Sequence, residues 1–144
     1  MARSTAPTRI VSEVMHPGVI NTPPQTPLEE VAAQMADKRV HCVVVEGLAR
    51  RRDQQEELVW GIVSDLDLIK AVAAGRQDVD AGEIAATEIV TVEASDPIEE
   101  VVRLMAEHEC THLVVVSARQ GEPVGVISSL DVAAVMTRSK ELPS

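Results

Sequence analysis

The sequence contains one seven-residue pattern twice, and this duplication constrains the fold more than any other feature. The first copy reads Gly-Ile-Val-Ser-Asp-Leu-Asp at 61–67, and the second reads Gly-Val-Ile-Ser-Ser-Leu-Asp at 125–131. In each copy, here called the closing motif, a glycine opens a short apolar run, and Ser-x-x-Asp leads into an apolar-periodic stretch. This order predicts a strand that turns directly into a helix.

The Ser-x-x-Asp part of the closing motif has two interpretations. Ser64 with Asp67, and Ser128 with Asp131, match a capping box that only stabilises a helix N-terminus. Alternatively, the unpaired N–H groups and the dipole of that helix end favour a bound phosphate, while the carboxylate accepts hydrogen bonds from sugar hydroxyls. The pattern alone leaves both interpretations open.

Further matches extend the duplication over most of the chain. At an offset of 70 residues, 11–15 match 81–85 and 26–31 match 96–101. The two copies differ in length mainly before the closing motif, where the first copy has a longer insertion at 46–60. Insertions are tolerated between structural elements, so this difference supports a true structural repeat.

Each repeat predicts a short helix or turn followed by the order β-α-β-β-α. We expect the first strands around residues 19–20 and 89–90. The next helices should begin with Thr26 and Asp96 as N-caps, each followed by a proline at the first helical position.

The rest of each repeat predicts a buried core and a partner. A run of valines suits a strand buried on both faces. A hairpin is expected to lead from it into the closing motif, and in the first repeat the polar run at 50–57 of that hairpin, whose charges nearly cancel, is expected to be a solvated loop. The closing helices are apolar almost all round, so a homodimer is expected to cover them. The result is an α+β fold with repeats at 10–74 and 81–137, a linker at 75–80 and a tail at 138–144.

Composition narrows the function classes. The net charge of −10 disfavours binding to nucleic acids or anionic membranes. Trp60 is the sole aromatic residue, so stacking platforms for bases are lacking. The sequence has no apolar run of membrane-spanning length and no secretion signal, which predicts a cytoplasmic protein in which Cys42 and Cys110 are reduced.

Catalytic patterns are weak. His108 to His112 match the zinc motif H-E-x-x-H, but helical periodicity ends near Glu107, so the two imidazoles should not share a helical face. Asp65 and Asp67 are two residues apart on a helix and should not face each other. The sequence lacks a P-loop, a nucleophile elbow and a C-x-x-C pair, so neither an enzyme nor a metal site is expected.

Together, these features resemble the cystathionine-beta-synthase (CBS) domain family in its tandem form, the Bateman module. The resemblance covers about residues 10–136. It rests on the opening at 11–15, the Thr-Pro-Leu-Glu-Glu-Val helix start, the valine strand that follows a histidine, and both closing motifs. It implies CBS-type repeats related by a pseudo-twofold axis, with clefts between them that often bind AMP, ADP, ATP or S-adenosylmethionine.

The resemblance also implies a role for individual residues. In such modules the motif aspartate binds ribose hydroxyls, the motif serine reaches ribose or phosphate, the main chain of the first strand borders adenine, and a histidine before the valine strand can lie near phosphates. These roles fall on Asp67 and Asp131, on Ser64 and Ser128, on Ile20 and Val90, and on His41 and His112. The basic residue that follows the histidine in the AMP-activated kinase regulatory subunit is replaced by Cys42 and Leu113, which favours AMP or a less charged adenosyl compound.

The resemblance therefore predicts a regulatory module that needs no catalytic cofactor. It would bind an adenosyl ligand, form a homodimer and signal to a separate effector protein. The alternative is a ligand-free structural or protein-interaction module, in which the motif serines and aspartates are helix caps only.

Overall fold

The computed structural model describes residues 9–141, and the side chains of these except 50, 52 and 138–141. The chain divides into two compact units, and each closing motif lies in one of them. The first unit is Ile20–Ile89, and the second joins residues 9–19 to residues 90–141. In chain order the elements are α1 Val11–Val14, β1 His16–Pro17, β2 Asn21–Thr22, α2 Leu28–Lys38, β3 Cys42–Arg52, β4 Gln55–Ser64, α3 Asp65–Ala73, α4 Ala81–Ile84, β5 Thr91–Glu93, α5 Ile98–His108, β6 His112–Val116, β7 Pro123–Ser128 and α6 Ser129–Glu141.

The first unit is built on a three-stranded sheet in the order β2-β3-β4. Strand β2 is parallel to β3, and β3 is antiparallel to β4. Val31 and Met35 of α2 pack with Val43 of β3 and Val63 of β4. Ala81 of α4 is fully buried in the same cluster, so the segment that opens the second repeat in sequence completes the core of the first unit.

The second unit has a four-stranded sheet in the order β1-β7-β6-β5. Val101 and Met105 of α5 pack with Val115 of β6 and Ile127 of β7. Val11 of α1 is fully buried in this cluster. The N-terminal segment is therefore part of the second unit's core.

The predicted α+β class and the order β-α-β-β-α are confirmed in both repeats. The first strands, however, begin later than the apolar pattern indicates: β2 starts after Ile20, and β5 starts after Val90. Thr22 of β2 is buried, and its Oγ1 lies 2.6 Å from Oγ1 of Thr26. Apolar periodicity cannot detect a strand residue that is buried through a hydroxyl pair.

The predicted N-caps of α2 and α5 are wrong. Pro27 and its counterpart Pro97 occupy the N-cap position with extended backbone, and neither helix has a side-chain cap. Asp96 instead accepts a hydrogen bond from the backbone N–H of Glu93 at 3.0 Å. The first helical N–H groups donate to carbonyls of passing segments, from Leu28 to Val79 and from Ile98 to Arg9, both at 3.0 Å.

The predicted hairpin before the first closing motif is confirmed, but its polar run at 50–57 forms strands and not the expected solvated loop. Strands β3 and β4 continue to Arg52 and Gln55, where a two-residue turn joins them. Both turn residues, Asp53 and Gln54, have positive φ, 52° and 64°. Positive φ at both positions is the mark of a type I′ turn, whose twist suits a hairpin, so the polar run extends the sheet.

At the C-terminus, α6 continues to Glu141, into the segment for which the sequence predicts a tail. Residues 142–144 lie outside the described part of the chain. Among residues 9–141 the structure has no helix that is both long enough and apolar enough to cross a membrane.

The glycine that opens each closing motif lies in the strand that carries the motif, β4 or β7 (the motif strand), at the point where another segment crosses it. A Cβ atom at Gly61 would lie 2.7 Å from the carbonyl oxygen of Ala86, and one at Gly125 would lie 2.6 Å from the carbonyl oxygen of His16. Cβ atoms do not approach a backbone oxygen this closely. The motif therefore needs glycine for space.

We predict that Gly125→Ala destabilises the protein by about 1–3 kcal/mol, because the new methyl group forces the backbone at His16 to move. Urea unfolding followed by circular dichroism measures this change, and Gly61→Ala provides the equivalent test at Ala86. At a glycine with negative φ and without this contact, alanine would stabilise by about 0.4–1 kcal/mol. A gain in stability for Gly125→Ala would contradict the steric explanation.

Candidate functional site: the sheet end at each closing motif

In the first unit, the topology brings four of the predicted site residues to one end of the sheet. Strands β2 and β3 run parallel and begin there, just after Ile20 and His41, whereas the antiparallel β4 ends there at Ser64. The carbonyl of Ile20 accepts a hydrogen bond from the N–H of Val44 at 2.8 Å. Asp67 follows in the first turn of α3.

The second unit repeats this arrangement. His112 begins β6 and pairs in register with Ser128 at the end of β7. Strand β5 is parallel to β6 and begins directly after Val90. Asp131 lies in the first turn of α6.

Each motif serine and aspartate form reciprocal hydrogen bonds. In the first unit, the N–H of Ser64 donates to Oδ2 of Asp67 at 2.8 Å, and the N–H of Asp67 donates to Oγ of Ser64 at 3.2 Å. The corresponding distances for Ser128 and Asp131 are 2.9 and 3.2 Å. Both pairs are therefore capping boxes.

The capping geometry leaves groups at the sheet end that can form hydrogen bonds with a ligand. Each carboxylate is oriented through Oδ2, and Oδ1 of Asp67 can accept a hydrogen bond from a diol. Each serine Oγ accepts from the aspartate N–H and retains its hydroxyl proton, which it can donate to an oxygen of a ligand. The adjacent helix N-terminus favours a negative group.

The two predicted histidines have different surroundings. Nδ1 of His41 lies 2.9 Å from Oδ2 of Asp65, and more than half of each side chain is exposed. The second motif has Ser129 in the place of Asp65, and Nδ1 of His112 lies 3.0 Å from Oγ1 of Thr111. Asp65 therefore pairs with a histidine while Asp67 caps the helix, which agrees with the expectation that the two carboxylates do not face each other.

One contact at the second motif was not predicted from the sequence. Nε2 of His16 lies 3.1 Å from Oδ1 of Asp131. His16 directly follows the repeated opening at 11–15, which was the only signal in the sequence. The pairing of β1 with β7, which brings His16 to the motif, joins segments more than a hundred residues apart and has no local pattern.

The H-E-x-x-H sequence spans the end of a helix, as predicted. His108 is the last residue of α5, Glu109 has a positive φ of 53° as its C-cap, and His112 begins β6. The two imidazoles therefore do not share a helical face. Within residues 9–141, the structure has no group of three or more His, Cys, Asp or Glu side chains that could hold a metal ion.

Cys42 lies beside the first site, and its thiol is unreactive at neutral pH. Burial, and secondly the negative charge of Asp65, together raise the pKa of its thiol to about 11. Both cysteines are free and half-buried. At neutral pH the Cys42 thiol is protonated, so this position provides neither a charge nor a nucleophile.

We predict that the alkylation rate of Cys42 by iodoacetamide continues to rise above pH 10, because the thiolate is the reactive form. Asp65→Asn should shift this profile to lower pH, since it removes a negative charge that raises the thiol pKa. Asp37→Asn, on α2, is the control and should not move the profile. Mass spectrometry of the modified peptide gives the rate, and a plateau already near pH 9 would contradict the prediction.

Comparison with known proteins identifies the family. The sequence model for the CBS domain matches residues 11–74 and again residues 81–138. The chain belongs to the CBS domain family. It is a tandem CBS protein, as its repeats predict, although no curated protein sequence matches it.

Solved structures of CBS proteins share this fold. A CBS domain protein from Pyrobaculum aerophilum complexed with AMP is 29% identical with a TM-score of 0.71, over 92% of this chain and 99% of that chain. Hypoxic response protein I with two coordinated zinc ions is 26% identical with a TM-score of 0.65, over 94% and 100% of the two chains. A CBS domain pair in complex with 5′-methylthioadenosine and S-adenosyl-L-methionine has a TM-score of 0.75 at 19% identity, over 92% and 99% of the chains, and supports the fold alone.

Proposed function

We propose that this CBS protein is a regulatory module that binds an adenosyl ligand at its closing motifs and acts on a separate protein. One observation carries the proposal: each sheet end holds a helix-capping carboxylate and a serine hydroxyl at a helix N-terminus. The relative complexed with AMP, 29% identical over 92% of this chain, supports an adenosyl compound as the ligand. The module would bind its ligand without changing it chemically.

The chemistry of the site suits a nucleoside. Asp67, and Asp131 in the second unit, would accept hydrogen bonds from ribose hydroxyls. Ser64, and Ser128 in the second unit, would donate to a ribose or phosphate oxygen. The main chain beside Ile20 or Val90 would border adenine, and His41 and His112 would lie towards the phosphate.

The local charge favours a ligand with few negative charges. Cys42 and Leu113, which follow the two histidines, carry no positive charge, and the chain as a whole has a net charge of −10. A polyphosphate would add negative charge near Asp65 without a lysine or arginine from these positions to balance it. AMP is therefore expected to bind more tightly than ADP or ATP.

We predict saturable binding of AMP in isothermal titration calorimetry, with weaker binding of ADP and ATP. S-adenosylmethionine and NADH complete the ligand set. Asp67→Asn and Asp131→Asn should each reduce binding at their own motif, because an amide offers one acceptor oxygen where the carboxylate offers two.

The matched control for these variants is Asp96→Asn. Asp96 also accepts a backbone hydrogen bond three residues away, but it lies before α5 and outside both motifs. It should leave the titration unchanged. If a folded wild-type protein gives no heat with any of the ligands, the motifs act as caps only, and the alternative of a ligand-free interaction module replaces the proposal.

A homodimer belongs to the proposed function because the closing helices expose apolar side chains. On α3, Leu66, Ile69 and Val72 are all more than half exposed, and Ile69 is 64% exposed. On α6, Leu130 is 78% exposed. Large apolar side chains grouped on one helix commonly mark a protein interface, and a second copy of the chain would cover them.

We predict that the purified protein elutes as a dimer in size-exclusion chromatography with light scattering. Leu66→Gln combined with Ile69→Gln should shift it towards the 15.5 kDa monomer, because both substitutions reduce the apolar area that a dimer buries. Lys70→Gln, on the same helix, should leave the dimer intact. A monomeric wild-type protein at all concentrations would contradict the dimer.

A further inference from the structure

Two residues occupy equivalent places beside the two closing motifs, and they differ in chemistry. His16 pairs with Val126 on the second motif strand, and Ala86 pairs with Ile62 on the first. The equivalence is also steric, since the carbonyl oxygens of His16 and Ala86 are the atoms that approach the two motif glycines. The framework is therefore shared, and one unit places an imidazole where the other has a methyl group.

The imidazole of His16 binds the carboxylate of Asp131, which is the group that the second motif would use for a ligand. Oδ2 of Asp131 accepts from the N–H of Ser128 at 2.9 Å, and Oδ1 lies 3.1 Å from Nε2 of His16. Since a carboxylate only accepts hydrogen bonds, Nε2–H of His16 is the donor. Both oxygens of Asp131 thus have a donor from the protein itself.

At the first motif the aspartate has a different neighbour. Oδ2 of Asp67 accepts from the N–H of Ser64 at 2.8 Å, as in the second motif. The equivalent neighbour is Ala86, whose methyl group cannot donate a hydrogen bond to Oδ1. The first carboxylate keeps the acceptor capacity that His16 uses in the second.

We propose that His16 is an internal competitor for Asp131, which makes the two motifs unequal, so that the first motif binds the ribose of an adenosyl ligand more tightly. This inference rests on the proposed function. The His16 side chain is 75% exposed and that of Asp131 is 15% exposed. The imidazole can therefore rotate into solvent without disturbing the core, and the second motif opens when it does.

The size of the effect follows from this exposure. A hydrogen bond from an exposed imidazole to a carboxylate contributes little free energy because water competes for the imidazole. The expected cost to ligand binding at the second motif is roughly two- to fivefold in Kd. His16 therefore sets the relative affinity of the two sites and does not abolish binding at the second.

A reciprocal exchange tests the proposal, with AMP as the probe and calorimetry as the readout. In an Asp67→Asn background, which leaves the second motif intact, His16→Ala should tighten AMP binding roughly two- to fivefold. In an Asp131→Asn background, which leaves the first motif intact, Ala86→His should weaken AMP binding by a similar factor. Thermal unfolding of each variant checks that the fold is unchanged.

A conservative variant separates competition from a structural role. His16→Gln keeps an N–H donor of similar reach, so in the Asp67→Asn background it should retain the weak binding that His16→Ala relieves. Unchanged or weaker AMP binding on His16→Ala would overturn the competition. If wild type and all variants fail to bind AMP, the proposed function fails and this proposal fails with it.

Discussion

The loop-free junction between the motif strand and the closing helix is the constraint on which both units depend. With no intervening residues, the first helical N–H groups need acceptors at once, and the N–H of Asp65 donates to the carbonyl of His41 at 2.9 Å. Ser64 and Asp67 satisfy two more donors reciprocally. A glycine within the strand leaves room for a crossing carbonyl. These local requirements explain the motif, and they also leave a fixed carboxylate and a hydroxyl at the sheet end.

The units are completed by segments that come from elsewhere in the sequence. Val11 is fully buried in the second unit, and Ala81 is fully buried in the first. Each of these segments then runs across a closing motif, where it places His16 or Ala86. The duplication therefore repeats the framework of the site, while one position outside the motif, His16 in one unit and Ala86 in the other, differs in whether it can donate a hydrogen bond to the motif carboxylate.

Local patterns predicted the order of the elements, the buried valine strands and the capping boxes of the two closing motifs, because periodicity and short spacing determine these features. They failed where distant segments decide the outcome. Thr26 is not an N-cap, because Val79 supplies the acceptor for the first helical N–H of α2. The run at 50–57 forms strands instead of a loop because the hairpin turn has only two residues, Asp53 and Gln54, and their residue types do not indicate the positive φ that both adopt. The contact of His16 likewise depends on strand pairing across most of the chain.

Backbone amide chemical shifts provide the most direct test of the account. The N–H of Ser64 donates to Asp67 and that of Ser128 donates to Asp131, so each amide reports on its own carboxylate. We would follow both amides by proton–nitrogen correlation NMR during a titration with AMP. The account predicts saturable shifts at Ser64 at lower AMP concentrations than at Ser128. An absence of shifts at both amides at millimolar AMP would contradict it.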